Sequence, residues 1–120
     1  MKKSRNQKNY LEFIPSIRPD FPWQVNDDQI VVITVAHTGI FDKAAQKLFH
    51  KPKKSYISLD EFGSFIWQQI DGERNVFQIA QLVSEHFGER ANPLYERLIK
   101  FFEILHENKY ISLKEDAPHA

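Results

Sequence analysis

The stretch Ser58-Leu59-Asp60-Glu61-Phe62-Gly63-Ser64-Phe65-Ile66-Trp67-Gln68-Gln69-Ile70-Asp71-Gly72-Glu73-Arg74-Asn75-Val76-Phe77-Gln78 holds two helix starts separated by a glycine turn. Ser58 and Glu61 have the spacing of a capping box, and Leu59, Phe62, Ile66 and Ile70 follow on one helical face. Asp71-Gly72 stops that helix. Asn75 and Gln78 repeat the box, with Val76, Ile79, Ala80, Val83 and Phe87 as the apolar stripe and Gly88 as the stop. Asn92-Pro93 then supplies a cap and a first-turn proline for a third helix ending near residues 106–108. Beyond it Tyr110-Ile111-Ser112-Leu113 reads as extended, and residues 114–120 as a flexible tail.

Upstream of the stretch, Ser55-Tyr56-Ile57-Ser58 is a short strand beside Lys51-Pro52-Lys53-Lys54, the composition of a guarded sheet edge. Phe41, Ala44, Ala45, Leu48 and Phe49 recur at helical spacing behind Asp42, which inserts a short helix before that strand. Further back, Ile30-Val31-Val32-Ile33-Thr34-Val35 is apolar on both faces, as a central strand covered on each side would be. Pro22-Trp23-Gln24-Val25 and the turn Asn26-Asp27-Asp28 complete a hairpin with it. The expected fold class is α+β and winged helix-turn-helix-like. A small three-stranded antiparallel sheet is followed by three helices, with a short helical insertion before the third strand. Residues 1–20 read as a partly flexible N-terminal extension, 21–113 as the domain and 114–120 as its tail.

Composition narrows the function. The 120 residues carry 16 Lys+Arg against 16 Asp+Glu, so no global field concentrates a polyanion. Without Cys there is no disulfide, thiolate nucleophile or zinc ribbon, which favours a cytoplasmic home. No apolar run has the length of a signal core or a membrane span, so no membrane partner is expected. Gly39, Gly63, Gly72 and Gly88 stand singly and build no phosphate loop. His37, His50, His86, His106 and His119 form no paired ligand set. Ser64 lacks the glycine pair of a nucleophile elbow and reads as a small residue at a close helix contact. Asp60 and Glu61 suit the positive end of a helix dipole, and Asp71-Gly72-Glu73-Arg74 lacks the alternating oxygens of a calcium loop. No catalytic residue, metal or cofactor is expected.

A winged fold raises the alternative of a DNA-binding transcriptional regulator. The third helix, however, sets Arg97 and Lys100 against Glu96, Glu103 and Glu107, an acidic balance where phosphates would lie. Lys47, Lys51, Lys53 and Lys54 serve more simply as a solvated, aggregation-blocking edge. The third helix is also unusually apolar. Leu94, Leu98, Phe101 and Leu105 supply a core stripe, while Tyr95, Ile99 and Phe102 widen it on one side and Ile104 stands on the other. Either a binding groove takes up the excess, or the hairpin or the segment 10–17 covers it.

Leu59-Asp60-Glu61-Phe62-Gly63-Ser64-Phe65-Ile66-Trp67, Ile70-Asp71-Gly72-Glu73-Arg74, Ile79-Ala80 and Phe87-Gly88, taken in order, resemble the PqqD family, and Leu94-Tyr95-Glu96-Arg97 through Ile111 is similar as well. The resemblance covers residues 55–113, and the hairpin half matches in outline only. It implies a coenzyme PQQ synthesis protein D-like domain, also called a RiPP recognition element, with no catalysis of its own. Such a domain binds the leader of a ribosomally made precursor peptide and presents it to a modifying enzyme, commonly a radical SAM protein. The peptide adds as a strand to the third strand and packs against the third helix. Carried onto this chain, the implied peptide-binding residues are Ser55, Tyr56, Ile57 and Ser58 with Lys53 and Lys54 beside them, and Tyr95, Ile99 and Phe102. A homodimer through the sheet edge is a further partner option. The acidic balance of the third helix generates a first prediction. In an anisotropy titration at physiological salt, duplex DNA shows no saturable, sequence-dependent binding to this chain.

Overall fold

Order in the chain follows from where its apolar residues can be buried. The computed structural model describes residues 10–36 and 54–115. The expected helix at 42–49, the lysines Lys47, Lys51 and Lys53, and both termini lie outside the described residues. The described elements are β1 (Phe13–Ile17), β2 (Trp23–Val25), β3 (Val31–Ala36), β4 (Lys54–Ser58), α1 (Glu61–Gln69), α2 (Val76–Phe87), a 3-10 turn (Gly88–Ala91), α3 (Leu94–Glu107) and β5 (Ile111–Glu115). The chain is thus mixed α/β, with small antiparallel sheets and three described α-helices. It divides into two compact units, Pro19–Ser64 and Met1–Arg18 with Phe65–Ala120.

The Pro19–Ser64 unit carries a sheet of order β2-β3-β4, antiparallel throughout. The β2–β3 turn is built on Asn26, whose Oδ1 accepts the amides of Asp28 (2.9 Å) and Ile30 (3.1 Å). Asn serves here because its short amide side chain mimics a backbone turn. β3 is central as expected, but its faces differ. Val31 and Ile33 are fully buried, whereas Val32, Thr34 and Val35 are half-buried.

The start of α1 departs from the capping box expected at Ser58. Ser58 belongs to β4, paired with Val32, and Leu59 N–H continues the ladder to the Val31 carbonyl (2.9 Å). Asp60 caps instead: its Oδ1 accepts Gly63 N–H at 2.7 Å, and its carbonyl accepts Ser64 N–H at 2.8 Å. Asp is as good a cap as Ser, and the strand runs on past Ser58 to Leu59, so the helix starts later. Ser64, expected as a small contact residue, does more. It is buried, and its Oγ accepts the Val31 N–H at 2.8 Å, joining helix to central strand.

The second unit differs more from expectation. Residues 13–17, placed in the N-terminal extension by the sequence, form β1, which pairs along its whole length with β5, Ile17 opposite Ile111 and Phe13 opposite Glu115. Pro15 sits in this ladder because a two-stranded ribbon has only edges, where a missing amide costs little. Arg18 N–H extends the ladder to the Tyr110 carbonyl (2.9 Å). Just before β1, the Leu11 carbonyl accepts Phe77 N–H (3.0 Å), a first-turn amide of α2 that no helical partner can satisfy. The capping box at the same helix end is present as expected, Gln78 N–H donating to Asn75 Oδ1 and Asn75 N–H to Gln78 Oε1. The third cap shifts by one residue, for Pro93 itself is the N-cap of α3. Tyr10, Ile14, Ile66, Trp67, Val76, Ile79, Val83, Leu98, Phe102, Leu105 and Ile111 are buried.

Loss of the Ser64 hydroxyl strands a buried backbone donor. Ser64→Ala is expected to lower stability by about 1–3 kcal/mol, read as a lower urea midpoint at unchanged m-value.

Candidate functional site

Hydrogen-bond alternation along β3 decides what β4 offers to a partner. In an antiparallel pair, a residue points its N–H and C=O to one side and its neighbour points them to the other. Thr34 N–H donates to the Pro22 carbonyl (2.8 Å) and the Ile30 carbonyl accepts Asn26 N–H (3.0 Å), so even-numbered residues of this strand face β2. Odd-numbered residues therefore face β4, as the bond from Leu59 N–H to the Val31 carbonyl shows. With Ile33 opposite Ile57 and Val35 opposite Ser55, the main-chain groups of Ser55 and Ile57 are turned into the sheet. Those of Lys54, Tyr56 and Ser58 are turned outward. Among the described residues β4 pairs with β3 alone, so its outer edge is a row of outward donors and acceptors.

Side chains alternate perpendicular to that row. Ser55 and Ile57 stand on the face of the buried Ile33, together with Trp23 and Val25 of β2. Ile57 at 37%, Trp23 at 39% and Val25 at 36% exposure frame a buried centre with partly open apolar flanks. Lys54, Tyr56 and Ser58 stand on the opposite face, beside Ala36, Thr34 and Val32. Tyr56 is 67% exposed, the most exposed of the large apolar and aromatic side chains among the described residues.

In the helical unit, the buried stripe of α3 is Leu98, Phe102 and Leu105, with Leu94 and Phe101 only half-buried. The stripe is rotated toward Phe102 from the one expected. Phe102, expected as a peptide contact, is fully buried, so its side chain is inaccessible to a ligand without repacking. Tyr95 and Ile99 are half-buried, and Ile104 is 44% exposed on the other flank. Lys53 lies outside the described residues.

The Asp71–Arg74 turn is tightly bonded. Asp71 Oδ1 accepts the amides of Glu73 (2.9 Å) and Arg74 (2.8 Å), and Arg74 Nη1 donates to the Gln69 carbonyl (3.0 Å) while lying 3.4 Å from Asp71 Oδ2. Gly72 has φ +81°, and a Cβ there would sit 3.3 Å from Ser16 Oγ, so both conformation and space call for glycine. The Arg74 amide, then that of Glu73, stabilises the ionised Asp71 and holds its carboxyl below the ordinary value. The group is a structural acceptor. Among the described residues no cluster of His, Asp and Glu could hold a metal ion, and no helix is long and apolar enough to cross a membrane.

The family model for coenzyme PQQ synthesis protein D (PqqD) matches residues 47–111, more than half of the chain. The chain belongs to the PqqD family. The matched span contains β4, the three described helices and the Asp71–Arg74 turn, and it begins after the β2–β3 hairpin, the half that resembled the family in outline only. The chain is also 27% identical over 96 residues to a PqqA binding protein from Rahnella aquatilis, covering 73% of this chain and 100% of that protein. No solved structure matches the chain significantly.

Because the folded-state pKa of Asp71 is depressed, its contribution to stability is present above the unfolded value and is lost as pH falls through the folded one. Asp71→Ala is expected to cost roughly 1 kcal/mol at neutral pH. In denaturation midpoints against pH, its deficit relative to the parent PqqD-family chain persists down to about pH 4 and closes below it.

Proposed function

We propose that this chain is a non-catalytic peptide-binding module that takes an extended precursor peptide as an added strand along β4 and presents it to a modifying enzyme. The observation that carries this reading is the outward row of Lys54, Tyr56 and Ser58, because main-chain groups on a sheet edge can be satisfied by any extended peptide. Family membership and the likeness to a PqqA binding protein support a precursor peptide as the partner. A radical SAM partner, a cytoplasmic site of action, a winged-helix arrangement and a homodimer through the same edge are finer parts of this reading. On α3, Tyr95 and Ile99 keep exposed surface and Phe102 does not; their role as peptide contacts rests on the family resemblance alone. No observation favours DNA: Arg97, one of the two cations on that helix, donates to the Arg90 carbonyl at 2.7 Å.

The register chooses the test. Proline at Ile57 would break the inward ladder to Ile33 and disturb the fold, whereas proline at Tyr56 removes an outward donor from an edge strand, where proline is tolerated. Titrating the isotope-labelled chain with the PqqA peptide of Rahnella aquatilis should move the amides of Lys54, Tyr56 and Ser58. Tyr56→Pro should stay folded and bind roughly tenfold more weakly, the loss of about one net hydrogen bond and its neighbouring contact. Shifts confined to other residues, or unchanged affinity in the folded variant, would overturn the edge as the binding site.

A further inference from the structure

We propose that the two large side chains on the open face of β4, Tyr56 and Lys54, select a peptide carrying an aromatic residue and, two positions toward its C-terminus, a carboxylate. This rests on the strand-addition reading. The outward main-chain groups belong to Lys54, Tyr56 and Ser58, so an antiparallel peptide forms its hydrogen-bonded residue pairs with these three. Residues directly opposite in such a pair project to the same face, so the peptide residues across from Tyr56 and Lys54 share the open face with them. Those across from Ser55 and Ile57 share the face of Ile33 and meet an apolar surface.

The open face is where peptides can be told apart. Tyr56 is 67% exposed at the centre of the strand, and an aromatic ring opposite it would remove apolar area from water on both partners. Lys54 is exposed and has no carboxylate partner among the described residues, and its own cross-strand neighbour is Ala36. A carboxylate across from it gains the pairing that β3 does not supply. Cross-strand aromatic and opposite-charge pairs both stabilise such a pairing. Polarity follows from geometry: an antiparallel peptide meets Ser58 first and Lys54 last, so the acidic residue lies C-terminal to the aromatic one.

The test uses three acetylated and amidated peptides of one composition, each flanked by Gly-Ser: Thr-Val-Tyr-Val-Glu, Thr-Val-Glu-Val-Tyr and Glu-Val-Tyr-Val-Thr. Each is titrated into the full chain while the amides of Lys54, Tyr56 and Ser58 are followed by NMR. The first should bind about threefold to tenfold more tightly than either other. Lys54→Glu should reverse the preference, favouring the first peptide with its Glu replaced by Lys. Equal affinities, with shifts still on β4, would overturn the selection rule and leave strand addition standing. Preference for the third peptide would overturn the antiparallel polarity. If none of the peptides moves those amides, the edge itself is not a peptide site and the proposed function falls with it.

Discussion

The sheet depends on how β3 spends its hydrogen bonds. Its even-numbered residues are committed to β2 and its odd-numbered ones to β4, and at its start Val31 turns its amide to the Ser64 hydroxyl of α1. A strand satisfied on both sides fixes the register of each neighbour, because a one-residue slip would carry Val31 and Ile33 from the buried face to the other one. That same register leaves Lys54, Tyr56 and Ser58 pointing outward. Burial at the centre therefore dictates the chemistry at the edge, and an edge so fixed is preorganised for an incoming strand.

The helical unit joins segments far apart in sequence. β1 and β5 supply each other, and the Leu11 carbonyl serves an orphan amide at the head of α2. Four groups act on that one helix start, the Asn75 and Gln78 side chains, the Leu11 carbonyl and, through the preceding turn, Asp71. Such over-determination suits a position where two helices must turn sharply within a few residues.

Local signals were legible in the sequence and long-range ones were not. The Asn75–Gln78 box, the Gly88 stop, the Asn26 turn and the strand at residues 55–58 were readable because each is a short pattern with its own physical chemistry. Ser58 misled as a cap because a capping box cannot reveal that the strand runs on through it to Leu59, whose N–H still bonds to Val31. β1 was missed because Pro15 demotes a run as a strand, and only its partner β5, about a hundred residues away, makes the ribbon visible. Phe102 falls in the buried stripe, not beside it, because periodicity gives the width of an apolar arc and not its centre. The decisive site detail, which β4 residues point outward, follows from pairing registers that no single stretch encodes.

A consequence concerns where identity and function reside. The residues Asp71-Gly72-Glu73-Arg74 are fixed by geometry: a glycine at φ +81°, where a Cβ would press on the Ser16 hydroxyl, and a carboxylate bonded to two amides. They form a turn held by its own hydrogen bonds. The residues of β4 carry no comparable constraint, since an edge strand needs only to extend and to hold register through Ser55 and Ile57. Its outward positions are thereby free to differ without loss of fold. The outward positions Lys54 and Tyr56 and the Asp71–Arg74 turn are thus governed by separate physical demands, register along a strand for the first and local hydrogen bonding for the second.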